Sequence, residues 1–288
     1  MVKFVKTVLI LAGVAYIAAI IGVLLNERAL VYQPGARRVE VPPPALALNQ
    51  RAITFQTPDS ASLAAWIIPA ANAGPAPPWV LISHGNYGNI GYGGRPQFYA
   101  WLRDLGVNLF AYDYRGFGAS NGVPSESGVY TDAMAAYRYL TDSLHVPPSR
   151  IVLFGHSLGT GVAIELARHV PAAGLIVEDA YTSVANRGQE VFPFLPIKLI
   201  ARSRFASIDK VGDLELPKLF LHARNDRTIP IEHGRRVFAA AAEPKQFVEL
   251  NAGHGDAYTA DRATYYGAID AFIRRVTAPA PVVAATPR

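Results

Sequence analysis

The chain has no cysteine among its 288 residues. That excludes disulfides, thiolate nucleophiles and cysteine-ligated zinc, and leaves either redox compartment acceptable. Charge is also sparse. Asp, Glu, Lys and Arg make up 17% of the residues, and the net charge of +5 comes without any run of Lys or Arg. A nucleic-acid footprint is therefore missing, and the weak positive balance suits an anionic surface such as phospholipid. No H-E-x-x-H metal motif, no phosphate loop of the G-x-x-x-x-G-K-S/T type and no repeat at solenoid spacing occurs. Neither a metal nor another cofactor is expected. With 51% hydrophobic residues the chain has ample material for a core, and its length suits one large α/β domain. Nothing in it fixes an oligomeric state.

What is present begins at the N-terminus. Val8 to Leu25, "VLILAGVAYIAAIIGVLL", carries no charge. As a helix it would span roughly 27 Å, close to the hydrocarbon core of a bilayer. A cleaved signal peptide is the alternative, but the run is longer than an ordinary signal core and no A-x-A site follows it. Residues 1–30 are therefore predicted to be an uncleaved single-pass membrane anchor. Lys3 and Lys6 on one side nearly balance Arg28, Arg37 and Arg38 on the other. A short N-terminal tail kept inside places the remaining domain on the non-cytoplasmic side.

"VPPPALALNQ" then reads as an extended linker. "RAITFQT" and "SLAAWIIP" alternate around "PDS" as a hairpin does. From there the pattern changes to continuous apolar runs, as in strands buried on both faces. These are "WVLIS", "VNLFAYD", "RIVLFG", "AGLIVED", "KLFLHA" and "QFVEL". Helical stretches are expected near 97–105, 128–144, 158–169, 232–242 and 260–276. The alternation predicts a doubly wound, mostly parallel sheet with an N-terminal antiparallel hairpin. "APAPVVAATPR", residues 278–288, reads as a disordered tail.

In such sheets ligands sit at the C-terminal edge of the strands. Gly155, Ser157 and Gly159 spell G-x-S-x-G just after "IVLFG", and an apolar helix opens at Leu158. Small residues at 155 and 159 allow the tight turn that lifts a serine into a cleft above a helix N-terminus. The competing interpretations are a serine that only caps the helix and a dinucleotide loop. The dinucleotide loop would need glycine where Ser157 stands.

A nucleophilic serine needs a base, and the base a carboxylate. Of the seven histidines, His254 in "LNAGHGDAY" lies in the loop after the last strand, at the edge that holds Ser157. His84, His145, His156, His169, His222 and His233 fall on other elements or point elsewhere. Asp226, after "KLFLHA", is the preferred acid, with Asp179, Asp213 and Asp256 as rivals. In "SHGN", Gly85 lets the chain turn so that the Asn86 N–H faces the cleft and, with the Leu158 N–H, forms an oxyanion hole.

Four blocks in this order, "HGNYGNIG", "DYRGFGAS", "GHSLGTG" and "NDRTIPIEHG" followed by "AGHGD", resemble the α/β-hydrolase superfamily over about residues 50–277. Within it the chain is similar to membrane-anchored serine hydrolases without a large cap, a group that includes depalmitoylating thioesterases and lysophospholipid hydrolases. The resemblance implies Ser157 as nucleophile, Asp226 as acid, His254 as base and Asn86 and Leu158 as oxyanion donors, with Asp113, Arg115 and Gly116 in a structural loop. A small residue follows His254 where a bulkier one is usual. Residues 31–277 then form the catalytic domain. Residues 183–215 form a short apolar cap segment whose Phe192, Phe194, Leu195 and Ile197 either wall an acyl pocket or pack as core. The expected reaction is hydrolysis of a carboxylic ester or thioester of a small or lipid acyl substrate through an acyl-enzyme. Amide or peptide hydrolysis and a tethered binding protein without turnover are the alternatives.

Overall fold

The computed structural model describes residues 1–36, 39–71 and 74–278. Arg37, Arg38 and all of the predicted tail beyond Ala278 lie outside the described residues. Helix α1 runs over Val2–Val31 and is long and apolar enough to cross a membrane. It extends past the predicted run at both ends, because Lys3, Lys6, Glu27 and Arg28 bound the apolar stretch without opposing helix. Residues 1–19 are exposed. Ile20, Gly22, Val23, Leu24, Glu27 and Val31 are half-buried against the rest of the chain.

Among the described residues eight strands form one sheet: β1 (Arg51–Gln56), β2 (Ser62–Ile68), β3 (Trp79–Ser83), β4 (Asn108–Tyr112), β5 (Ile151–His156), β6 (Gly174–Glu178), β7 (Lys218–Ala223) and β8 (Lys245–Leu250). The spatial order is β1-β2-β4-β3-β5-β6-β7-β8. β2 is antiparallel to β1 and β4, and the strands from β4 to β8 are parallel. The doubly wound sheet with its N-terminal hairpin is as the sequence predicts. The order reverses between β3 and β5, where Ser83 pairs with Gly155. The loops after these two strands therefore diverge, and a crevice opens between them.

Helices cover both faces: α2 (Arg95–Arg103), α3 (Glu126–Arg138), α4 (Leu158–Ala167), α5 (Val184–Val191), α6 (Ile197–Ile200), α7 (Ser207–Lys210), α8 (Ile231–Ala240), α9 (Ala257–Ala260) and α10 (Arg262–Thr277). Alternation along the strands sends Leu81, Phe110, Leu153, Val177 and Phe220 to the core under α3, α4 and α8. Val80, Leu109, Phe154, Ile176 and Leu219 go to the core under α2 and α10. Ser125 caps α3 by accepting from the Gly128 N–H at 3.1 Å. The predicted 128–144 helix is α3 followed by a wider π turn over Tyr139–Ser143. The predicted extended linker contains a 3₁₀ turn at Pro44–Leu46 and buries Leu48.

The cap segment is α5, α6 and α7, and α1 is tied to it. Glu27 Oε1 accepts from the backbone N–H groups of Arg202 at 2.8 Å and Ser203 at 2.7 Å. Beyond α1, Tyr32 is buried with its ring edge-on to Phe205, and the Gln33 N–H donates to Asn86 O at 2.9 Å. Glu27→Ala leaves two donors without their carboxylate, a loss on the order of 1–3 kcal/mol. We expect a lowered Tm in detergent and faster proteolysis within residues 183–215, with Glu27→Gln, which keeps an acceptor, closer to the parent. An unchanged digestion pattern for Glu27→Ala would show that α1 does not hold the cap.

Candidate active site

Ser157 sits between β5 and α4 with φ of 52° and ψ of −120°. This sparsely populated backbone costs about 1–3 kcal/mol and persists only where its surroundings enforce it. They do so here. The Ser157 N–H donates to Glu178 O at 3.0 Å, and Thr160 donates from its N–H and its hydroxyl to Ser157 O at 2.9 and 2.8 Å. The two flanking glycines are steric necessities. A Cβ on Gly159 would collide with the Ser83 carbonyl, and one on Gly155 with the Gly159 carbonyl.

Three loops at the C-terminal edge then meet. His254 Nε2 lies 3.1 Å from Ser157 Oγ, and His254 Nδ1 lies 2.7 Å from Asp226 Oδ2. Asp226 is buried, and its Oδ1 accepts from the Thr228 and Ile229 N–H groups, both at 2.8 Å. The structure thus brings together the serine, histidine and aspartate selected from sequence. Asn86 and Leu158 border the same cavity, and neither backbone N–H donates to another protein group among the described residues. For Leu158 this follows from its place at the helix start, where N–H groups have no intrahelical partner.

Asp179, one of the rival acids, is also present. It stands at the end of β6 with φ of 52°, and its Oδ2 is 3.6 Å from His254 Nδ1. Its Oδ1 accepts from the Ala223 N–H at 2.9 Å and its Oδ2 from the Gly255 N–H at 3.3 Å. Asp226 is the nearer partner by 0.9 Å, the difference between 3.6 and 2.7 Å. Burial lowers the His254 pKa. The hydrogen bond that His254 Nδ1–H donates to Asp226 and the charges of Asp179, Asp226 and Asp256 outweigh it, so the pKa stands above the usual histidine value. Burial raises Asp179, which the His222 and His254 charges oppose, and raises Glu178 well above the carboxylate range. Tyr265 donates to Glu178 at 2.9 Å.

The sequence directs His156 away from the serine, and the structure sets its ring beside His254, with centroids 5.4 Å apart. Burial and the charges of His254, Arg95 and His84 hold His156 well below the usual value. His84 is structural. Its Nδ1 is 2.7 Å from Gly85 O and its Nε2 3.3 Å from Asp113. Arg115 binds Asp59 and Asp132, as a structural loop requires. Two trios approach within ligand distance of one another, His156-Glu178-Asp179 and Asp179-His222-Asp226. In the second, His222 Nε2 is committed to Ile229 O at 2.9 Å, and all four carboxylate oxygens accept or face the hydrogen bonds given above. A metal would have to displace that network.

The cavity beside Ser157 has a volume of about 330 Å³. Phe192 and Ile197 line it. Phe194 and Leu195 do not, and this corrects the expected lining: the Phe192–Leu195 turn carries Phe194 outward, 87% exposed, rather than into either cavity or core. The part of the lining that comes from Val23, Leu24, Leu30 and Val31 of α1 escapes sequence reasoning. The only local signal for it is Glu27, a carboxylate two residues beyond the end of an apolar run.

A switch-point crevice, a strained serine turn and a histidine between two carboxylates define the class, an α/β hydrolase. The chain belongs to the α/β-hydrolase family. The family described as serine aminopeptidase, S33, matches residues 75–204. An uncharacterized protein of Mycobacterium tuberculosis is 34% identical over 269 residues, 92% of this chain and 94% of that one. The α/β-hydrolase domain-containing protein WAV2 of Arabidopsis thaliana is 31% identical over 284 residues, 90% of this chain and 89% of that one. Lysophosphatidylserine lipase ABHD12 of Danio rerio is 34% identical over 186 residues, 58% of this chain and 48% of that protein, so the match spans about half its length. The solved esterase Pf2001 of Pyrococcus furiosus shares the fold with a TM-score of 0.70 at 18% identity, covering 85% of this chain and 98% of that one.

Gly159→Ala should be among the most damaging single-methyl changes in the chain, because the clash is with backbone that cannot move aside. We expect a loss of at least about 3 kcal/mol, read as a collapse in Tm or in folded yield. Gly267→Ala, where a Cβ meets nothing, is the control.

Proposed function

We propose that the protein is a serine hydrolase that cleaves acyl esters or thioesters through an acyl-enzyme. The observation that carries the reading is the unbroken Ser157–His254–Asp226 chain of contacts, 3.1 and 2.7 Å, opening on an apolar cavity. Ser157 Oγ attacks the substrate carbonyl carbon while its proton passes to His254 Nε2. The resulting oxyanion takes hydrogen bonds from the Asn86 and Leu158 N–H groups. The tetrahedral species collapses, the bond to the leaving oxygen or sulfur breaks, and His254 returns the proton to that atom. Water, deprotonated by His254, then attacks the acyl-serine, and a second collapse releases the acid and restores Ser157. Residues 31–277 are the catalytic domain, and residues 1–30, which hold all of α1 but its last residue, Val31, are its single-pass anchor, which alkaline carbonate should fail to extract from membranes. The short N-terminal tail favours a non-cytoplasmic domain.

Peptide or amide cleavage is the second reading, favoured by the serine aminopeptidase description of the matching family. The predominantly apolar cavity wall supports the acyl reading over it. Hydrolysis of aminoacyl anilides in preference to p-nitrophenyl and acyl-thio esters would reverse that order.

Ser157→Ala and His254→Ala should each lower ester hydrolysis by several orders of magnitude and abolish fluorophosphonate labelling in the serine variant. Asp226→Asn should cost less, because Asp179 stays near the same ring nitrogen. The base works as neutral imidazole. With its pKa raised, kcat/KM should fall on acidification through a point above about 6.5. Asp226→Asn removes the Asp226 charge that helps raise the pKa and leaves only a neutral acceptor, so its acidic limb should move to lower pH. A limb that stays in place would mean that another carboxylate, Asp179 first, governs His254.

A further inference from the structure

We infer that the last turns of α1 form one wall of the acyl-binding site, so that an acyl chain passes into it sideways from the bilayer. The inference rests on the reading of Ser157 as an acyl-transfer nucleophile. The cavity at Ser157 is lined by Val23, Leu24, Leu30 and Val31 of α1 together with Phe192 and Ile197 of the cap segment. A helix that merely tethers a domain has no reason to show it a face. In α1 the half-buried positions 20, 23, 24, 27 and 31 fall at helical spacing on one stripe, the half-buried Gly22 lies off it, and residues 1–19 show none.

That wall is fixed in place. Glu27 is bound to the Arg202 and Ser203 N–H groups, the Asn86 side-chain amide donates to Val31 O at 3.2 Å, and the Gln33 N–H donates to Asn86 O. The end of α1 therefore touches both the cap and the loop that carries one oxyanion donor. Its height also fits. Val8–Leu25 fills roughly 27 Å of hydrocarbon, which leaves Val23 and Leu24 in the last apolar turn and Glu27 and Arg28 just outside it. The cavity wall thus straddles the boundary between acyl chains and headgroups, the level at which an acyl carbonyl of a membrane ester lies. On the cap segment, Phe194 is 87% and Leu199 83% exposed. Beside a membrane helix such side chains insert into the interface. The ligand is accordingly the chain of an ester dissolved in the bilayer.

The test uses full-length protein in phosphatidylcholine vesicles and p-nitrophenyl acetate, octanoate and palmitate. Leu24→Trp fills the wall and should lower the palmitate-to-acetate ratio of kcat/KM by at least about tenfold, the equivalent of two lost methylene contacts. Leu24→Ala widens the wall and should move the preferred chain to greater length. It also carries the test should the tryptophan variant fold poorly. Leu25→Trp, one residue on and 79% exposed, should keep the parent ratio. If both Leu24 variants keep the parent ratio in protein that still hydrolyses esters and takes the fluorophosphonate label, the inference is overturned and the catalytic reading stands. If the parent neither hydrolyses any ester nor takes the label, both fall.

Discussion

The closeness of the first turn of α4 to the end of β3 is the constraint on which the site depends. Gly159 lies against the Ser83 carbonyl with no room for a methyl group. That contact exists because β3 and β5 pair in parallel and end together, Ser83 opposite Gly155. Once both loops leave from one edge, the serine is set on a left-handed backbone next to the chain that leads to Asn86. Neither loop could hold that geometry alone. The energy stored in the turn is small beside the burial of the strands beneath it, so the sheet imposes the conformation and the turn cannot relax.

Around that turn the chain buries more carboxylates than one histidine needs. Glu178, Asp179 and Asp226 all stand at the ends of β6 and β7, and a concentration of unscreened negative charge there would oppose folding. The arrangement answers this unevenly. Asp226 receives two backbone N–H groups and the His254 ring, Asp179 receives two other N–H groups, and Glu178 receives only a tyrosine hydroxyl, so that burial and the Asp179 charge push it toward its neutral form. Graded hydrogen bonding lets the three share a small volume with the histidine charge favoured.

Much of this was legible in the amino-acid order. Continuous apolar runs gave the strands, and their position relative to Ser157, Asp226 and His254 gave the edge at which these side chains meet. Asp226 was preferred to Asp179 from its place after the strand whose loop faces that of His254, and what only the distances add is that Asp179 also stands near the same ring nitrogen, at 3.6 Å against 2.7 Å. Phe194 was misplaced because an apolar residue in an apolar segment carries no sign of which way a Pro-containing turn will throw it. The role of α1 was hidden for a different reason. Val23 and Leu24 look the same to lipid as to a protein wall, so hydrophobicity cannot separate the two. Glu27, which binds backbone 175 and 176 residues away, and Val31, whose carbonyl takes the Asn86 amide, distinguish a docked helix from a free one, and of these Glu27 is the one that shows in the sequence.

The hydrogen bonds between Val31, Gln33 and Asn86 have a mechanical consequence. No slack chain separates the helix from the loop beside the serine, so a rotation or tilt of the helix is also a displacement of that loop. A spanning helix answers changes in bilayer thickness by tilting. A domain joined in this way does not tumble on a leash. If α1 spans a bilayer as proposed, the thickness of that bilayer and the position of the Asn86 loop beside Ser157 become one coupled coordinate, through which lipid composition would act on the site without occupying it.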